Sequence, residues 1–107
     1  MDKKFYITTP IYYPSAKPHM GHAYSSIIAD FFARFKRMDG FEVQFLTGTD
    51  EHGLKIQRSA EKQNIDPLEF CNQISQTFRD LSQTLNLTNT DFIRTTEDRH
   101  KKTVQYL

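Results

Sequence analysis

The apolar positions of this chain alternate between two periods. Tyr24, Ile27, Ile28, Phe31, Phe32 and Phe35 fall at i, i+3, i+4, i+7, i+8 and i+11. That series predicts a helix with one buried apolar face. Asp39-Gly40 closes it, with glycine suited to the left-handed position beyond a helix end. Upstream, Phe5 to Thr8 reads as a short strand feeding a loop punctuated by Pro10, Pro14 and Pro18, which hold it extended and stiff. Downstream, Phe41, Val43 and Phe45 alternate with Glu42 and Gln44, predicting a strand over 41–46 that ends in a loop at Thr47-Gly48-Thr49. Strand, helix and strand in this order imply a right-handed parallel crossover.

A second helix is expected from near Asp50 to about Gln63. A third starts at Asp66-Pro67-Leu68-Glu69, where Asp66 caps, Pro67 fills the first turn and Glu69 completes a capping box. Its apolar stripe is Leu68, Cys71, Ile74, Phe78, Leu81 and Leu85. Phe92 to Thr95 reads as a third strand, and Thr95 with Asp98 is expected to cap a last helix reaching Leu107. The fold class is therefore α/β, with parallel strands and flanking helices.

Parallel α/β sheets bind ligands beyond the carboxyl ends of their strands. Two loops leave such ends here. The first, Thr9 to Pro18, delivers His19-Met20-Gly21-His22 to a helix start. The second, Thr47 to Gly53, delivers Asp50, Glu51 and His52. Two imidazoles three residues apart at a helix N-terminus, with free N–H groups and the positive end of the dipole, suit a polyphosphate. Gly21 between them lets a flat or bulky group approach the main chain. A carboxylate opposite, at Asp50, suits an ammonium group. Each feature has a plainer reading: capping for His19 and His22, capping of the second helix for Asp50, loop packing for Tyr12 and Tyr13, and solvated helix surface for His100. Glu51 and His52 are assigned to the rim of the site, and Lys17 lies near the phosphate position.

Charge narrows the partners. Fourteen basic residues against 13 acidic give a net charge of +1, which provides no bulk attraction for nucleic acid or membrane. The lone cysteine, Cys71, closes no internal disulfide and is expected to be a small buried hydrophobe on a helix. With no apolar run of bilayer length and no signal-peptide core, the expected setting is cytoplasmic, with neither membrane nor DNA as a partner.

The string TPIYYPSAKPHMGHAY, Thr9 to Tyr24, resembles the His-Ile-Gly-His signature of the class I aminoacyl-tRNA synthetases, with Met20 in the isoleucine position. Its Pro10-Ile11-Tyr12-Tyr13-Pro14 lead-in, and FLTGTDEHG from Phe45 to Gly53, are similar to the methionyl branch of that class. The resemblance implies the N-terminal half of a Rossmann-like nucleotide-binding fold. It also implies activation of methionine with ATP and Mg2+ to methionyl adenylate, then transfer to tRNA. In that reading His19 and His22 act on the ATP phosphates and Gly21 lies against the adenosine portion. Pro10, Ile11 and Tyr13 border the methionine side chain, and Asp50 takes its ammonium group.

The class's lysine-rich second signature has no match in residues 1–107. The chain is thus expected to be the first half of the catalytic domain, inactive alone, with the connective, second-half and anticodon-binding domains absent. Zinc is expected only in that connective domain. A non-catalytic synthetase-derived binding fragment and a related nucleotidyltransferase are the competing readings; the latter lacks the GTDEHG segment.

Overall fold

Among the described residues, three short strands pair in parallel and in chain order: β1 (Lys4–Thr8), β2 (Glu42–Thr49) and β3 (Asp91–Arg94). The computed structural model describes residues 3–13 and 18–107. Between the strands run α1 (Met20–Met38), α2 (Leu54–Lys62) and α3 (Pro67–Thr84), and α4 (Asp98–Tyr106) follows β3. The predicted parallel α/β unit is present. Val43 and Phe45 are buried with Ala29 and Ala33 of α1, flanked by Phe5, Ile7 and Phe41. Phe45 is fully buried, worth about 1.5–3 kcal/mol relative to exposure. A second cluster joins Ile56 and Ala60 of α2 to Phe70 and Cys71 of α3. Cys71 is buried on its helix as expected, and burial pushes its thiol up to about 11.

The helical period of α1 was legible, but not the face it buries. Tyr24, Ile27, Ile28, Phe31, Phe32 and Phe35 are 42–70% exposed, whereas Ser26, Ala29, Asp30 and Ala33 are buried. Small side chains let the helix approach the sheet closely, and a polar anchor fixes its rotation. Asp30 Oδ1 accepts from Thr88 N at 2.8 Å, and Asp30 Oδ2 accepts from Arg34 Nε at 2.7 Å. Arg37 donates to Thr88 O at 2.8 Å from the same side. Burial alone would push the Asp30 carboxyl up; the bonds from Thr88 and Arg34 outweigh it and hold it below its ordinary value.

Other boundaries shift for local reasons. β2 continues through Thr47, Gly48 and Thr49, expected as loop, because these pair with Phe92, Ile93 and Arg94. α2 begins at Leu54 rather than near Asp50, with Gly53 as its N-cap, so Asp50 does not cap it. The preceding backbone is committed elsewhere: Glu51 N donates to Thr95 Oγ1 at 2.7 Å. Thr95, so engaged, does not cap α4, whose N-cap is Glu97. Asp66 caps α3 as expected, accepting from Leu68 N at 3.1 Å, with Pro67 in the first turn. The expected box partner Glu69 instead accepts from Gln73 at 3.4 Å.

Candidate active site

α1 starts with a capping box made of two histidines. His19 is the N-cap, and its Nδ1 accepts from Gly21 N at 3.0 Å; the Nδ1 of His22, at the third helical position, accepts from His19 N at 3.0 Å. Capping and a ligand role are therefore compatible in one pair of rings. A backbone N–H can only donate, so both Nδ1 atoms are bare and each neutral ring carries its proton on Nε2. The fold thereby sets both tautomers and leaves two Nε2–H donors. The rings lie 4.0 Å apart between centroids.

Gly21 has a local necessity. A Cβ there meets His19 Cε1 at 2.9 Å and Nδ1 at 3.2 Å, so any side chain drives the N-cap ring away.

His22 is half-buried, edge-on to Tyr12 at 4.9 Å and to Phe78 at 5.0 Å. Desolvation first, and the neighbouring His19 second, hold its pKa below the ordinary 6.5. The native state thus prefers neutral His22. As pH falls below 6.5 the unfolded chain takes this proton first, and native stability falls until pH passes the lowered native value. Well above 6.5 neither state is protonated and the contribution is constant. Urea midpoints are expected to drop between pH 7.5 and 5.5 by more in the wild-type chain than in His22→Ala. An equal drop in both contradicts this assignment.

The second loop meets the first through Tyr12. Tyr12 N donates to Gly48 O at 2.9 Å, and Tyr12 O accepts from Asp50 N at 2.8 Å. Asp50 and the histidine pair therefore belong to the same end of the sheet. Tyr13, exposed, donates its hydroxyl to His52 O. Ile11 is exposed, and Pro10 lines a cavity of about 370 Å3 with Ile7, Tyr24, Ile28 and Phe32. Lys17 and Pro14 lie outside the described residues. No three His, Cys, Asp or Glu side chains among the described residues form a metal-holding group, and no described helix is long and apolar enough to cross a membrane.

Glu51 is not a rim residue. Its side chain is fully buried and takes Arg94 Nε at 2.7 Å and Nη2 at 2.8 Å, with Thr49 and Thr96 hydroxyls at 2.6 and 2.7 Å. Burial pushes this carboxyl up, but the bonds from Arg94, Thr49 and Thr96 outweigh it and leave it below its ordinary value. His52 Nε2 lies 3.2 Å from Thr95 O, so it too is tied to the β3 end. Tyr12 is buried loop packing, in line with its plainer reading, and it also meets His22, a contact the residue spacing does not reveal. A signal existed: in an extended segment neighbours face opposite sides, so outward Ile11 and Tyr13 require Tyr12 to point inward.

The family described as tRNA synthetases class I (M) matches residues 5–107. The chain belongs to this family. Among relatives of this class I synthetase chain, the mitochondrial methionine–tRNA ligase of Takifugu rubripes is 55% identical over 98% of the chain. That of Rickettsia bellii is 57% identical over 97%. A solved structure of Mycobacterium tuberculosis methionyl-tRNA synthetase bound by methionyl-adenylate superposes with a TM-score of 0.92 at 45% identity, covering 94% of the chain. The matched region is 18% and 20% of the two relatives and 20% of the solved chain. The class I synthetase chain thus spans about a fifth of each.

Proposed function

We propose that residues 1–107 form the first half of the catalytic domain of a methionine–tRNA ligase, contributing part of the site that joins methionine to AMP. The observation carrying this reading is the reciprocal histidine box at the α1 N-terminus, joined through Tyr12 to the loop bearing Asp50. Methionine's carboxylate oxygen attacks the α-phosphorus of ATP; a phosphoanhydride bond breaks and pyrophosphate departs. Such a step needs positioning and charge stabilisation more than a protein nucleophile. His19 and His22 donate their Nε2–H groups to phosphate oxygens as charge builds, with Mg2+ arriving on the ATP. Gly21 leaves room for the adenosine portion. Pro10, Ile11 and Tyr13 border the methionine side chain, and Asp50 holds its ammonium group. The tRNA then receives the methionyl group from the adenylate.

The test is a chimera in which this chain replaces the matching segment of a methionine–tRNA ligase. Methionine-dependent ATP–pyrophosphate exchange is expected from the chimera and none from the 107-residue chain alone. A folded chimera without exchange contradicts the proposal, as does exchange driven by a phosphate-bearing acceptor in place of methionine.

A further inference from the structure

The capping box holds His22 by a single side-chain bond, from His19 N at 3.0 Å. Its box partner His19 is exposed, and first helical turns fray. Further restraint comes from Phe78, edge-on at 5.0 Å, and from the preceding loop. Tyr12 is 7% exposed and fixed to β2 by main-chain bonds, N–H to Gly48 O and C=O from Asp50 N, with a parallel bridge to Thr49. Its ring stacks on Phe78 at 5.4 Å with an interplanar angle of 19°, and presents itself to His22 at 4.9 Å and 66°. Its hydroxyl lies between Ser26 Oγ and, at 3.4 Å, the carbonyl oxygen of His22. If Ser26 donates to the phenol oxygen, the phenol proton remains for that carbonyl.

We propose that Tyr12 is a positioning residue for His22, gripping both its imidazole and its main chain from a loop bridged to β2, the strand that leads to Asp50. It is not a substrate contact, since almost none of its surface is free. The ring supplies most of the restraint, because it bears on the imidazole, and the hydroxyl adds to it. Fixing one reacting group against another is a large part of catalysis when no covalent intermediate forms on the protein. As a claim about catalysis the proposal rests on the ligase reading above; as a claim about His22 geometry it does not.

The side chain can be tested separately from the main-chain bridge, because substitution leaves the Tyr12 N–H and C=O in place. In the 107-residue chain with 15N-labelled histidine, His22 is expected to show a bare Nδ1 and a protonated Nε2. Tyr12→Phe retains that pattern, whereas Tyr12→Leu gives a mixture of tautomers. In the chimera, Tyr12→Leu is expected to lower kcat for pyrophosphate exchange by about tenfold to a hundredfold. Methionine KM stays within about twofold and Tyr12→Phe restores most of the rate. Tyr12→Met, nearer in length, covers the case in which Tyr12→Leu does not fold.

A folded Tyr12→Leu or Tyr12→Met chain with an unchanged His22 tautomer and an unchanged kcat overturns the proposal. So does loss of fold in both with a native Tyr12→Phe, which would assign the ring to core packing alone. If the unsubstituted chimera exchanges no pyrophosphate, the ligase reading fails while the tautomer measurement still decides the role of Tyr12.

Discussion

Gly48→Ala is expected to abolish the cooperative fold. A Cβ at Gly48 falls 1.9 Å from Ile93 O and 2.9 Å from Ile93 C and Cγ2. The obstacle is backbone of the paired strand, not the tip of a flexible side chain, so β2 and β3 must separate. Gly48 O also accepts Tyr12 N–H, and the next residue, Thr49, donates to Glu51. One methyl group thus disturbs the strand pairing, the loop carrying Tyr12 and the Glu51 cluster together. The expected loss exceeds about 4 kcal/mol, a size reserved for backbone or core disruption. Gly40→Ala is the control: φ is +84° and nothing lies within 4 Å, so only the left-handed penalty of about 1–2 kcal/mol applies. Thermal melts by circular dichroism compare them. A Gly48→Ala melt no worse than that of Gly40→Ala contradicts the close approach.

The second large effect is at Glu51. Glu51→Ala leaves Arg94, whose side chain is 19% exposed, without its bidentate partner and strips acceptors from Thr49 and Thr96. Breaking one side of a buried pair costs about 3–5 kcal/mol, whereas replacing both by apolar residues is often neutral. Urea titration should therefore find Glu51→Ala far less stable and Glu51→Leu/Arg94→Leu much closer to the unsubstituted chain. A single-variant loss no greater than the roughly 1 kcal/mol of an exposed pair contradicts this role. The pH dependence has the opposite cause to that of His22 but the same direction. Glu51 is ionised in the native state below its ordinary 4.5, so its contribution is present above that value and is lost as pH falls through the native pKa.

Much of this was legible because it is local. Period located α1 and α3, Asp66-Pro67 marked a helix start, and Gly40 marked a helix end. The spacing His19-x-x-His22 placed two rings on one turn. What escaped was decided by partners distant in sequence. The buried side of α1 is chosen by Asp30 reaching Thr88, 58 residues away. Two stripes of the same helical period competed there, and hydrophobicity alone favoured the one that remains exposed. Glu51 looked like a rim residue because its partner Arg94 is 43 residues downstream. Thr47-Gly48-Thr49 reads as a loop in the sequence, since glycine beside threonines gives no sign that another strand will press against it.

The central claim, that His22 and Asp50 serve two substrates of one site, is tested most directly by methionine-dependent pyrophosphate exchange in the chimera carrying His22→Ala or Asp50→Ala. His22→Ala is expected to lower kcat about a hundredfold or more, as for loss of a donor to developing charge, with methionine KM little changed. Asp50→Ala is expected to raise methionine KM at least about tenfold, the equivalent of one charge-assisted hydrogen bond. If His22→Ala instead weakens only methionine binding, or Asp50→Ala changes only the melting temperature, the two residues do not share the roles given to them.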